Sequence, residues 1–295
     1  MKIAFSILFL FPLICYSQIL LNQEGEAFTE TPFFNGAVIR SNHIKSIEGN
    51  YSTKKPGDVI RESTDWFRYR FDEQGRLLES LDIRTVNRKK DTTLHQYCYN
   101  SLNQLTEHRK TENGGFTTSK YVYDSLNRLQ TELTYREVLQ AQSNQVLQSN
   151  LVNTEYFQYA LRPNEREQVR YNSYKLPCMD EVSYFNKDGY LVEKRTNYRM
   201  SSIEHSTKFS YDEHGLLASK SHFNDQDAIA EQEWKYRYDQ FGNLIEVLYF
   251  RYGQLQKDLQ IVFDTKTQLL GSTIQRDVET NFLLILRFTK FTYFK

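Results

Sequence analysis

Aromatic and polar positions alternate along most of this chain, and the alternation returns as one motif. Residues 69–79 read YRFDEQGRLLE, and the same pattern recurs as YVYDSLNRLQ at 121–130, FSYDEHGLLA at 209–218 and YRYDQFGNLIE at 236–246. Rings at positions i and i+2 share one face of a strand, because successive side chains point to opposite faces. The residue between them is Arg70, Cys98, Val122, Ser210 or Arg237, which is mostly polar. That alternation predicts a strand with one buried face. The following Asp-x-x-Gly predicts a hairpin turn. The Asp caps its own backbone, and the Gly takes the left-handed conformation that a bulge needs. Two copies carry Asn103 and Asn127 in the Gly place, and Asn is the next most tolerant residue of positive φ. The Leu that follows (Leu77, Leu105, Leu129, Leu191, Leu217, Leu244) starts the returning strand and points inward.

The residue after the rings marks each copy: Asp72, Asn100, Asp124, Asn186, Asp212 and Asp239, with a weaker copy at Asp264. Successive gaps are 28, 24, 62, 26, 27 and 25 residues. The long gap holds two periods, with a worn copy at Phe157-Gln158-Tyr159 and Pro163-Asn164. Self-similarity at this period implies a repeat architecture, here about eight units. The opposite ends of the units are turns of variable length: Arg88 to Asp91, Asn113-Gly114-Gly115, Ser143-Asn144-Gln145, Leu176-Pro177, Asn224 to Asp227 and Tyr252-Gly253-Gln254. Residues 136–155 read as one long hairpin in preference to a helix.

The fold expected is all-β. An antiparallel meander of repeated hairpins, about 14–18 strands, forms one large twisted and curled sheet. A sheet of that size must coil, close or fold over itself. Phe282 to Phe294, apolar on both faces, is expected to close or cover the final edge. Residues 65–295 make the repeat domain. Residues 18–64 are expected to be an irregular leading segment, with strand material at Ala37-Val38-Ile39 and His43 to Ile47.

Composition changes this picture in two ways. Lys+Arg and Asp+Glu both number 37, and mean hydropathy is −0.65. Neither a nucleic-acid partner nor a bundle of membrane helices fits, since the first needs clustered basic charge and the second long apolar runs. Residues 1–17 read as a signal peptide: Lys2, an apolar run from Ile3 to Ile14, then small residues before a cut at Gln18. The apolar run is shorter than the ~20 residues of a span. An exported chain is expected, located in the periplasm, at the cell surface or outside the cell. Cleavage there leaves Cys98 and Cys178, expected to remain unpaired.

The pattern Tyr-x-Tyr-Asp-x-x-Gly-Arg-Leu resembles the YD repeat of the RHS family. The best matches are Tyr69 to Leu77, Tyr121 to Leu129, Phe209 to Leu217 and Tyr236 to Leu244, and the resemblance covers roughly residues 65–270. It implies strand pairs that wind into a shell, and a secreted location. Members with shells are generally much longer, and about eight units are few for enclosing a cargo domain, so encapsulation does not carry over.

Candidate chemistry is sparse. The Asp series offers one regular carboxylate per turn, whereas calcium takes six to eight oxygens, so turn formation is the better reading. His43, His95, His108, His205, His214 and His222 show no zinc spacing. His205, His214 and His222 fall within one unit and could converge. A carboxylate pair for a hydrolase needs only proximity in space, and no particular pair stands out. No cofactor is implied. Six tyrosines outside the motif, Tyr135, Tyr156, Tyr171, Tyr174, Tyr198 and Tyr249, are the expected ligand surface, because rings stack on sugars. The function expected is a non-enzymatic binding or structural module for a protein or glycan partner. The alternatives are an outer-membrane β-barrel and a hydrolase.

Overall fold

A computed structural model describes residues 36–112, 114–139, 146–201, 203–224 and 227–295. The expected signal peptide and Cys15 lie outside the described residues.

A short helix, α1 (Gly36–Ser41), precedes eighteen strands. They are β1 (Ile44–Lys54), β2 (Arg61–Phe71), β3 (Leu77–Val86), β4 (Lys89–Tyr99), β5 (Leu105–Glu112) and β6 (Gly115–Tyr123). Next come β7 (Leu129–Leu139), β8 (Val146–Arg162), β9 (Glu165–Tyr171), β10 (Pro177–Phe185), β11 (Leu191–Tyr198) and β12 (Glu204–Tyr211). The last six are β13 (Leu217–Asn224), β14 (Gln232–Tyr238), β15 (Leu244–Arg251), β16 (Gln254–Phe263), β17 (Leu270–Asp277) and β18 (Leu283–Tyr293). Each strand pairs antiparallel with the next in sequence. The last returns to the first, with Ile47 opposite Phe291, Tyr51 opposite Leu286 and Lys54 opposite Leu283. The sheet is therefore a closed barrel. Of the coiled, closed and folded-over forms that the sequence allowed for the expected twisted and curled sheet, the structure takes the closed one.

Two features explain the closure. The motif hairpins at the β2–β3, β4–β5, β6–β7, β10–β11, β12–β13, β14–β15 and β16–β17 turns all carry a register shift at the ring residue before the turn. Bulges bend a strand and increase its twist, and repeated at one rim they curl the sheet onto itself. The two edges then match: β1 and β18 both span 11 residues. Each satisfies the backbone groups that the other would leave bare. Phe282 to Phe294, expected to close or cover the final edge, supplies that closing strand.

The motif turns have the geometry that their residues predict. Gly75 has φ 82° and donates its N–H to the Asp72 carbonyl at 2.9 Å. Asp72 Oδ1 accepts from the backbone N–H of Gln74 and of Arg76, at 3.0 and 2.9 Å. Asn103 and Asn127, at φ 63° and 62°, fill the Gly place as expected. The worn copy is a tight reversal at Pro163-Asn164 between β8 and β9. One further copy falls where none was expected. Asn172-Ser173-Tyr174-Lys175-Leu176 makes the same bonds, with Lys175 at φ 59°. It lies on the opposite rim and takes the place of the expected Leu176-Pro177 turn. Eight connections thus form a motif rim, and the other nine form a loop rim.

Ala37-Val38-Ile39, expected as strand, belongs to α1. No sheet edge is free for it to pair with, because β18 and β2 flank β1 on both sides. The helix instead starts against a motif turn, where a Cβ on Gly75 would sit 2.0 Å from the Gly36 carbonyl oxygen. Ile39 is buried in the core. The leading segment 18–64 also holds β1 and the start of β2.

In five of the six clear motif copies the intervening residue (Arg70, Cys98, Val122, Ser210, Arg237) is exposed and both rings are not. Side chains crowd on the concave face of a closed sheet and splay on the convex one, so the rings line the inside. The inner face has two sectors. From β14 through β18 to β3, Phe67, Tyr69, Phe71, Leu244, Ile261 and Phe288 pack with Ile39 into one core. From β4 to β13 the wall is largely a single wetted layer, and β4, β5 and β9 hold no buried residue.

Candidate ligand-binding face

The inner face is graded from one rim to the other. Next to the motif rim lies a layer of leucines, of which Leu191, Leu217 and Leu244 are fully buried. Above them stand the second rings of the motif. Where that ring is Tyr, its hydroxyl donates to the carbonyl of the preceding unit's first leucine. Tyr99 reaches Leu77 at 2.9 Å, Tyr123 reaches Leu105 at 2.8 Å, and Tyr159 reaches Leu129 at 2.9 Å. Tyr211 reaches Leu191 and Tyr238 reaches Leu217, both at 2.8 Å. These bonds tie each unit to the one before it. The sequence carried a signal for them: Tyr rather than Phe directly before the marker residue.

Further from the motif rim the wetted arc carries imidazoles. His95 on β4 and His108 on β5 stack at 5.2 Å, with Nδ1 of one 2.9 Å from Nε2 of the other. Tyr97 stacks on His108 at 4.8 Å. Burial first, then His108 and Lys110, bring His95 down to about 4. Burial and Lys110 also lower His108.

A second stack crosses β11 to β13. His205 and His222 lie 5.4 Å apart, and Tyr198 meets His205 edge-on at 5.8 Å. His205 Nδ1 is 2.8 Å from Asn224 Oδ1, and Asn224 in turn donates to Glu231. Burial, followed by His205, lowers His222. Trp234 and Tyr249 continue this strip at 5.3 Å from each other, covered by Lys220 and Lys257. The strip combines ring faces with an amide, a carboxylate and two ammonium groups. That set suits a ligand with one apolar and one hydroxyl-rich face.

The six off-motif tyrosines divide between the two faces. Tyr198 and Tyr249 belong to this inner strip. Tyr156 and Tyr171 face each other across β8 and β9 on the outer face, and Tyr171 donates to Gln158 at 2.9 Å. Tyr135 shares that outer face, under Lys120 at 5.2 Å. Tyr174 stands exposed in the loop-rim turn. They therefore do not form one surface, because the strand period sends neighbouring residues to opposite sides of the wall. His205 and His222 come together as their spacing allowed. His214 does not: it lies in the motif turn, 3.6 Å from Glu213.

Other candidates are engaged structurally. The marker Asp and Asn residues spend their side chains on their own turns, and Asp72 and Asp124 also bind Arg76 and Arg128. An open groove of about 610 Å³ lies between the Asn186 and Asp212 turns, but both of those side chains already cap backbone there. Glu132 and Glu155 are cross-strand partners on the inner face, and Arg170 holds Glu155 at 3.4 Å. Cys98 and Cys178 are free thiols on β4 and β10.

No family model matches this chain, and no curated protein matches it. Among solved structures, a porin-like protein from Bacteroides uniformis is similar at 10% identity and a TM-score of 0.42, covering 84% of this chain and 98% of its own. A DUF1329 family protein from Desulfovibrio piger aligns at 10% identity and 0.25, covering 88% of each. A LolA superfamily protein from Nitrosomonas europaea aligns at 6% and 0.21, covering 86% and 87%. At these values the likeness carries no argument about function.

Proposed function

We propose that this is an exported, non-enzymatic binding barrel that takes a glycan on the inner strip Tyr198–His205–His222 and Trp234–Tyr249. The observation that supports it is the strip itself. It is a continuous run of partly buried ring faces on the inner wall, from the wetted arc to the edge of the packed core, with polar groups alongside. Sugars present an apolar face to rings and hydroxyls to amides and carboxylates. The YD-repeat resemblance supports the exported location and the hairpin units.

The chain has two tryptophans, Trp66 and Trp234. A Trp66→Phe variant leaves Trp234 as the sole reporter, and it sits in the strip. A glycan-array hit should quench or shift that emission and show no turnover of the bound sugar. Trp234→Ala with Tyr249→Ala should weaken the hit about ten-fold or more, since each stacked ring contributes ~0.5–1.5 kcal/mol. Loss of the hit on changing Tyr135, Tyr156 and Tyr171 instead would move the site to the outer face.

A second reading, an outer-membrane barrel, is favoured by one observation. The antiparallel meander closes on itself with an even number of strands, as such barrels do. Charge weighs against it. The outer face carries Arg68 and Arg70 against Glu79, Arg237 against Glu246, and Arg276 against Asp258. A lipid-facing band would have to be apolar over strands of ~9–11 residues. Among the described residues no helix is long and apolar enough to cross a membrane, which says nothing of strands. Membrane fractionation decides: resistance to a carbonate wash would install the second reading.

A further inference from the structure

The exposed apolar side chains are not spread evenly over the barrel. Seven of the nine loop-rim connections, counted with the strand residues flanking them, carry at least one. Val59, Leu147, Tyr174, Met200, Ile229 and Tyr252 stand on six different connections, and Met200 is 93% exposed. Counted the same way, to the second strand residue, the motif rim has six such side chains (Leu102, Val122, Leu126, Leu161, Phe241 and Val262) on five of its eight connections, against thirteen on the loop rim. At the start of β8 every residue from Val146 to Asn153 is exposed, so both faces of that arm stand clear of the wall.

We infer that the loop rim rests on a lipid bilayer, with these tips entering the headgroup region and the barrel remaining in water. Spacing argues for lipid over a protein partner. Connections at one rim are two strands apart, about 9–10 Å along the wall. The tips are therefore scattered single side chains and not the contiguous cluster from which a protein hot spot is built. A bilayer surface accepts scattered insertions around a ring, and binding grows with the apolar area inserted. The polar partners fit the same boundary. Lys55, Arg88, Lys89 and Lys175 flank the tips, where long cationic side chains can reach phosphate. Tyr174 and Tyr252 have the ring-and-hydroxyl character that gathers at membrane interfaces. The ion pairs on the barrel wall stay outside the lipid.

The test is flotation of the full chain with vesicles of phosphatidylcholine and phosphatidylglycerol. Wild type should float. Leu147→Asp/Tyr174→Asp/Met200→Asp should lose about ten-fold or more in vesicle affinity. Leu102→Asp/Leu126→Asp/Phe241→Asp, on the other rim, should float as wild type does. All six positions are exposed, so both variants should keep the wild-type circular dichroism. Wild type that stays at the bottom of the gradient overturns the inference, as does an equal response from the two variants. Glycan binding is read by Trp234 emission without vesicles, so either result can fail alone.

Discussion

Tyr69 and Tyr121 hold the same place in two copies of one motif, yet Tyr69 is 5% exposed and Tyr121 is half-buried. Their local structures agree: strand, bulge, and a turn capped by the following Asp. Their surroundings differ. Tyr69 pairs across strands with Ile47 and Ser80, beside Phe67 at 5.6 Å, in a core that α1 joins through Ile39. Tyr121 pairs with Glu132, in a stretch of Ser119, Thr134 and His108. The motif thus specifies the strand, the reversal and the face. Depth of burial comes from whatever else lies over that face. Truncation should expose the difference most strongly. Tyr69→Ala should cost about 3–5 kcal/mol and Tyr121→Ala about 1 kcal/mol, since cost rises with the cavity that cannot collapse. Denaturant unfolding measures both, and equal losses would erase the distinction between the sectors.

pH should separate the sectors next, because depressed imidazoles lie in the wetted arc, whereas burial raises tyrosines in both sectors and most strongly in the packed one. In the packed sector, burial raises Tyr51, Tyr69, Tyr236 and Tyr238. A raised folded value favours the neutral phenol. Stability is then complete below about pH 10 and declines above it, as the unfolded chain ionises first. In the wetted arc, burial lowers His95, His108 and His222, with His95 at about 4. A depressed folded value favours neutral imidazole. That contribution is complete above about pH 6.5 and is lost as pH falls toward 4. Amide hydrogen exchange should therefore show β4–β5 and β12–β13 loosening first in mild acid. In alkali, β1–β3 and β14–β15 should loosen first. His95→Gln should flatten the acid response at β4–β5 and leave the alkaline one unchanged.

The hairpin units were legible because each rests on local chemistry. The ring period, the capping Asp and the positive φ at Gly75, Asn103 and Asn127 all act within a few residues. Even the long hairpin of β7 and β8 and the worn copy at Pro163-Asn164 followed from counting units. Closure was not legible. It depends on β1 meeting β18 across the whole chain, and Gly49 is a trace of that meeting: a Cβ there would sit 2.1 Å from the Arg287 carbonyl and 2.3 Å from the Phe67 ring. A lone glycine in a sequence does not say what approaches it. Ala37-Val38-Ile39 misled for a related reason, since apolar residues suit a strand only where an edge is open. The binding strip was half legible. Tyr198 and Tyr249 stood outside the motif, but Trp234 and the imidazoles became neighbours only through register. The outward fate of Tyr135, Tyr156 and Tyr171 follows from the same period-two rule that placed the rings inside.

The smallest expected effect bears on whether the wetted arc is a wall or a reaction site. Glu132 and Glu155 stand directly opposite on β7 and β8, where like charges are unfavourable. Arg170 offsets one of them. If the pair is structural, Glu132→Gln removes a repulsion and stabilises the fold by about 0.3–1 kcal/mol at neutral pH. A hydrolase would need the opposite: a pair kept in spite of its cost, whose neutralisation abolishes turnover on an identified glycan. Denaturant midpoints at neutral pH, run beside a product assay on the glycan-array hit, distinguish these cases. A stabilised variant with unchanged binding supports a wall whose polar sector holds ligand without transforming it.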